Sequence, residues 1–442
     1  MKKTALLAFV LMIWLLSGFP QGSQALMRPQ RSVLDNGLIL LTSEQRGLPM
    51  VSIELLIRAG ARYDAPQSQG LANLTARLLT YGTEGQSALQ ISEALDFIGA
   101  NLSVGCGRDL ASVSLTILKK DLAKGLELLA EILTAATFPG EEIDRQKQSI
   151  IASIKAKEES PGAVAEERFL AALYPNSPFG QPLEGTEASV KAISRSALSE
   201  FYRRYYRPNR SILSVVGDIS HREMTQALQQ ALRTWTKGEA VGKEKAPSAS
   251  GSAQVIRVNK DLAQANIILG HGGVGREHPD YYAIQVMNYI LGGGGFSSRV
   301  MDSIRNERGL AYSVYSYFDA EKGRGTFEFV MQTKNETALE AIRIAKEEIR
   351  RIREEPVSER ELSDAKDYLT GSFPLRLDTN HKVANFLAQV EFFDLGLDYP
   401  DRYPELIQTV TRDDVLRVAK EYLHPDRLIT VIVGNQRKIG DR

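Results

Sequence analysis

Among the residues whose types could do chemistry are Arg305 and Tyr312, seven apart across Gly309-Leu310-Ala311. A guanidinium and a phenol can both donate hydrogen bonds to a carbonyl or an oxyanion. The bland alternative is a helix-surface arginine paired with Glu307 or Glu84, and a tyrosine packed at a strand start. Just upstream stand four consecutive glycines, Gly292, Gly293, Gly294 and Gly295, which permit positive φ and close backbone approach. They lack the following Lys-Ser/Thr that would reach phosphates and magnesium, so they do not form a nucleotide loop. Taken alone, they read as a flexible helix-to-helix turn.

Other reactive side chains are sparse. The five histidines, His221, His271, His278, His381 and His424, contain no i,i+4 pair, and Cys106 is the only cysteine. No metal site or internal disulfide can be read from that spacing. His278 and His424 sit in turns and suit surface or capping roles. Cys106 reads as a small packed residue rather than a nucleophile, because no histidine motif can be assigned beside it.

The elements that must position these groups belong to an ordinary globular chain of 442 residues, 43% hydrophobic and 24% charged. Lys plus Arg and Asp plus Glu each total 54, which disfavours binding nucleic acid by bulk charge. At the start, Lys2 and Lys3 precede an apolar run from Ala5 to Leu16, then Pro20 and Ser23-Gln24-Ala25. This is a secretory leader, residues 1–25, expected to be cleaved near Ala25 and to send the protein to the periplasm or outside the cell. The run is shorter than the roughly 20 residues of a membrane span. Residues 236–253, TKGEAVGKEKAPSASGSA, lack apolar periodicity and read as a linker. Two halves remain, 31–235 and 254–437.

The halves look duplicated. Arg207-Pro208-Asn209-Arg210 followed by SILSVVGD aligns with His424-Pro425-Asp426-Arg427 followed by LITVIVGN, with Tyr205 and Tyr422 at the same offset before each proline. Within each half the order is strands, a helix, strands, paired helices and a final strand. Ala111 to Leu118 alternates as a strand, while Leu71, Leu74 and Leu78, then Leu122, Leu126, Leu129 and Leu133, mark helical faces. Without strict βαβ alternation, the expectation is α+β: two homologous α/β sandwiches, each a mainly antiparallel sheet covered by helices.

The first of those helices carries a resemblance. Gly70-Leu71-Ala72-Asn73 through Ala76-Arg77 to Gly82-Thr83 resembles the segment G-L-A-H-x-x-E-H-x-x-x-x-G-T of the pitrilysin/insulinase zinc peptidases and of the mitochondrial processing peptidase subunits. In that family the two histidines bind zinc and the glutamate activates water. Here the three positions hold Asn73, Ala76 and Arg77, and the third ligand position, aligned on Lys157-Glu158-Glu159-Ser160-Pro161, holds Ser153. An amide, a methyl, a guanidinium and a hydroxyl cannot replace two imidazoles and two carboxylates, and a fixed positive charge opposes a dication. Arg305 and Tyr312 match the family's arginine/tyrosine motif. Ser103, Val104 and Gly105 occupy its peptide-pairing edge strand, although the family commonly has Asn and Ala where Ser103 and Val104 stand. A plain edge strand is the other reading of that segment.

The resemblance covers essentially the whole chain after the leader and implies the metallohydrolase sandwich fold of LuxS and the processing peptidases. It implies a non-catalytic, zinc-free subunit with no cofactor of its own. Such a subunit pairs as a heterodimer with a zinc-bearing homologue, binds extended peptide through the edge strand and Gly292 to Gly295, and lends Arg305 and Tyr312 to the partner's active site. Two alternatives remain open: a self-sufficient zinc endopeptidase with unrecognised ligands, and a purely structural core-type subunit.

Overall fold

A computed structural model describes residues 27–240, 242 and 246–440. The leader at 1–25 and part of the 236–253 segment lie outside the described residues. Eleven strands form two sheets among these residues. The first contains β1 (Gln30–Val33), β2 (Ile39–Glu44), β3 (Met50–Ile57), β4 (Asn101–Cys106), β5 (Ala111–Leu118) and β6 (Ser211–Gly217), in the order β1-β2-β6-β3-β5-β4. The second contains β7 (Gln254–Asn259), β8 (Gln264–Gly273), β9 (Ala311–Glu321), β10 (Arg324–Lys334) and β11 (Ile429–Gly434), in the order β7-β11-β8-β10-β9.

Without β1, the two orders are the same. In both sheets the last strand of the half inserts between the first two, parallel to the first (β2 with β6, β7 with β11) and antiparallel to the second. All other pairings are antiparallel. The repeated Pro turns lead into β6 and β11, central strands buried on both faces, which explains why SILSVV and LITVIV read as unbroken apolar runs. In β5, by contrast, buried and half-buried residues alternate, and the sequence alternates with them.

One face of each sheet packs on helices of its own half. Under the first sheet, Leu71, Leu74 and Leu78 join Leu126, Leu129 and Leu133 against Ile53, Leu55 and Leu115. The other face is covered by a helix from the opposite half. Helix Pro161–Leu173 of the first half packs on β8 and β11, where Ala165, Phe169 and Leu173 meet Ile268, Ile429, Val431 and Val433. Reciprocally, helix Asn380–Phe392 packs on β3 and β6, placing Val383, Leu387 and Phe392 against Leu56, Ile212 and Val216. The expected sheet covered by helices is therefore present in each half, but the halves exchange one cover.

A buried ion-pair cluster locks the exchange. Asp109 accepts from Arg62 Nη1 at 2.6 Å and from Arg324 Nη1 at 2.9 Å, and all three side chains are less than 10% exposed. The Arg324 guanidinium lies 3.7 Å from the Phe179 ring centroid. Beside it, the Tyr174 hydroxyl donates to the Gly325 carbonyl at 3.0 Å. Arg62, Asp109, Tyr174 and Phe179 belong to the first half, Arg324 and Gly325 to the second.

Candidate functional site

Between β3 and β4 runs the short helix Leu71–Leu78, buried along almost its whole length. Its start is fixed by Asp64, whose carboxylate accepts from the Gly70 and Ala72 backbone N–H groups at 2.9 and 2.8 Å. Burial pushes this carboxyl up to about 7, against the opposing pull of those hydrogen bonds. Gly70 has φ +87°, and a Cβ there would lie 2.3 Å from the Glu184 carbonyl, so glycine alone fits the turn. The helix packs on the edge strand β4 and on the helix Gly140–Glu158 that carries Ser153.

The leucines of this helix face the core, and Asn73, Ala76 and Arg77 lie on the opposite side of the helical wheel. Asn73 is 7% exposed, and its Oδ1 has no hydrogen-bond partner among the described residues. Ala76 is fully enclosed. Arg77 is half-buried, and among the described residues it makes no hydrogen bond, ion pair or ring contact. Ser153 is partly exposed. These groups do not fit a zinc ion: one neutral amide oxygen, one hydroxyl and a guanidinium supply neither the imidazoles nor the charge a tetrahedral site requires. No cluster of three or more His, Cys, Asp or Glu able to hold a metal occurs among the described residues.

Strand β4 is the outer strand of its sheet, bonded to β5 on one side only. Ser103 is exposed, whereas Val104 and Cys106 turn toward the core. Burial, then the nearby Asp64 charge, pushes the Cys106 thiol up to about 12. A thiol that holds its proton so strongly is not an activated nucleophile.

In the second half the helix Tyr281–Asn288 occupies the corresponding place between β8 and β9. Instead of ending in the flexible turn its glycines suggest, it continues through a widened π turn, Tyr289–Gly293. Three of the four glycines pack closely. Ser316 Oγ donates to Asn288 Oδ1 at 2.8 Å, Asn288 Nδ2 donates to the Ser316 carbonyl at 3.1 Å, and a Cβ on Gly292 would fall 2.4 Å from Ser316 Oγ. Gly293 and Gly294 similarly press on Asn288 and Tyr289, and only Gly295, at φ +57°, has open space around it. The four thus differ: Gly292 is buried, Gly293 and Gly295 are exposed, and Gly294 lies between.

A second π turn, Met301–Asn306, carries Arg305; such widened turns recur at functional sites. Gly309, at φ +61°, reverses the chain into β9, and Tyr312 enters at its start. The seven-residue spacing brings the two side chains together: the Arg305 guanidinium lies 5.3 Å from the Tyr312 ring centroid and 5.0 Å from that of Phe296. Tyr312 is 75% exposed and Phe296 74%. Arg305 pairs with neither Glu307 nor Glu84; Glu307 binds Arg308 instead. Nothing in the sequence pointed to Phe296 beyond its place after the glycines.

His271, His278 and His424 hold local structure. His271 is buried, accepts the His424 backbone N–H at 3.1 Å, and is driven down to about 4 by desolvation. His278 Nδ1 accepts the Asp280 N–H in the turn before its helix. The His271 and His424 rings lie 5.1 Å apart, a proximity that sequence spacing could not reveal.

Residues 40–187 match the family described as Insulinase (Peptidase family M16), and residues 192–369 match its companion, the Peptidase M16 inactive domain. The chain belongs to the insulinase, or M16, peptidase family. Its fold superposes with a TM-score of 0.88 on the crystal structure of a peptidase M16 inactive domain from Pseudomonas fluorescens, at 28% identity over 93% of this chain and 99% of that one. A protease from Helicobacter pylori superposes with a TM-score of 0.85 at 19% identity, over 92% and 100% of the two chains. An uncharacterized zinc protease of Streptomyces coelicolor is 26% identical, covering 93% of this chain and 91% of its own. One from Bacillus subtilis is also 26% identical, covering 80% and 86%. Within this two-domain M16 fold, the side chains at 73, 76, 77 and 153 offer no set of donors suited to a zinc ion.

Proposed function

We propose that this M16 chain is a non-catalytic, zinc-free subunit that pairs with a zinc-bearing homologue, binds extended peptide and contributes Arg305 and Tyr312 to the partner's active site. The observation that carries this reading is the intact helix Leu71–Leu78 with Asn73, Ala76 and Arg77 on its non-core face. Its capping and packing remain in place while every group that would hold or use a metal is replaced. Strand β4 supplies an unpaired edge of backbone donors and acceptors along which a peptide can add as a further strand. Arg305 and Tyr312 stand together at the surface, where donors have value only if something outside the chain supplies the oxygen. The zinc belongs to the partner in this reading. The leader expected at residues 1–25 supports work in the periplasm or outside the cell for this chain.

Reconstitution tests this. The full chain should co-purify with an H-x-x-E-H homologue from the same organism, and the pair should hydrolyse peptides that this chain alone does not. Arg305→Ala or Tyr312→Phe in the pair should lower kcat/KM by about 10²-fold, the usual loss on removing one oxyanion donor, without moving the subunit's own melting temperature. Unchanged turnover in both variants would remove them from the reaction and leave a scaffold. Efficient hydrolysis by this chain alone would overturn the reading altogether.

A further inference from the structure

The environment of Asn73 and Arg77 suggests more than a lost metal site. Arg77 is half-buried, and its guanidinium, which has no partner among the described residues and is not sealed from the surface, is left free to meet a group from outside the chain. One turn earlier, on the same face of the helix, the side chain of Asn73 is more than nine-tenths buried, and its Oδ1 accepts nothing. An unsatisfied buried acceptor in a native fold calls for an absent donor. The helix carrying both residues packs directly on β4, whose outer edge is open.

We infer that Asn73 and Arg77 form a recognition site for a carboxylate carried by an extended peptide lying along β4. The inference rests on the peptide-binding reading above and names the class of peptide. The two orphaned groups are complementary: Arg77 requires an anion that can take two parallel N–H donors, as a carboxylate does, and Asn73 Oδ1 requires an N–H donor, as a peptide backbone supplies. A free inorganic anion satisfies only the first. The carboxylate can come from an Asp or Glu side chain or from the peptide's own C-terminus.

The test uses the full chain after leader removal and fluorescence anisotropy with three versions of one ten-residue peptide. The first has a central Glu and an amidated C-terminus, the second a central Gln and a free C-terminal carboxylate, and the third a central Gln and an amidated C-terminus. At low salt, at least one carboxylate peptide should bind about tenfold or more tighter than the neutral one, as expected for a charge-assisted hydrogen bond, and added salt should reduce the difference. Which of the two gains identifies the source of the carboxylate. Arg77→Gln should erase the advantage, and Arg77→Lys should restore part of it while showing that the helix still folds. Successive N–H groups along a strand point to opposite edges, so either Ser103→Pro or Val104→Pro should weaken all three peptides together. If the three bind equally and Arg77→Gln changes nothing, the carboxylate site is wrong while peptide binding along β4 stands. If none binds, the peptide-binding reading fails and the carboxylate site falls with it.

Discussion

Exchange of covering helices should make the two halves unfold as one cooperative unit, and Phe169→Ala tests this most sharply. Phe169 belongs to the first-half helix Pro161–Leu173 but is fully buried against the second sheet, among Ile268, Ile429 and Val431. Gly270 on β8 leaves room for the ring: a Cβ there would fall 2.5 Å from Phe169 Cζ and 2.5 Å from the Phe327 carbonyl. A close-packed site of this kind cannot collapse onto the vacated space, so truncation should cost about 3–5 kcal/mol, a large part of the roughly 5–15 kcal/mol typical of a whole domain. The reporter is built in. Of the two tryptophans, Trp14 lies within the expected leader at 1–25, so protein produced without those residues carries only Trp235, which is 2% exposed in the first-half core and donates to the Tyr206 carbonyl at 3.0 Å. Urea unfolding should be followed by Trp235 fluorescence and, in parallel, by far-UV circular dichroism. Phe169→Ala should lower both midpoints together, although its cavity opens against the second sheet and the tryptophan sits in the first half. A Trp235 midpoint that stays put while the circular dichroism curve splits into two steps would show that the halves unfold independently and would refute the coupling.

Two further perturbations address the buried charges. Asp109→Asn leaves Arg62 and Arg324 without their shared carboxylate; the unfolding free energy should fall by about 3–5 kcal/mol, and a change within about 0.5 kcal/mol would mean water reaches the cluster. Glu54, buried on β3 and accepting a hydrogen bond from Ser114, has its carboxyl raised from 4.5 to about 7 by desolvation, which that hydrogen bond opposes. The folded state therefore holds the extra proton between these values. Its contribution to stability is complete below the lower value and disappears as pH rises through the upper one. Glu54→Gln should accordingly be more stable than the parent at pH 8, by up to about 3 kcal/mol, and nearly equal to it at pH 4. Parallel pH profiles for the two proteins would place the Glu54 carboxylate in contact with water.

Much of this architecture is legible in the chain because the signals are local. The leucine spacing at 71, 74 and 78, the alternation through 111–118 and the apolar runs after the repeated proline turns all reflect side chains facing one layer. The Arg305 and Tyr312 pairing was also visible, since Gly309 permits the tight turn that closes a seven-residue gap. The helix exchange was not. Pro161–Leu173 carries an ordinary amphipathic pattern, and amphipathicity says that a face will be buried without saying against what. The close packing of the glycines was hidden for a related reason: Gly292 is small because Ser316 of β9 lies against it, a contact that no local pattern announces. Nor could the sequence show that Asn73 and Arg77 would be left without partners, because that depends on which neighbours fail to reach them.

The central claim, that Asn73, Ala76, Arg77 and Ser153 cannot hold a divalent ion, is tested most directly by zinc stoichiometry. Purified chain, equilibrated with micromolar zinc and then freed of unbound metal, should retain far less than one equivalent by elemental analysis and release no peptide fragments. One zinc per chain, removable by chelator together with peptidase activity, would contradict it.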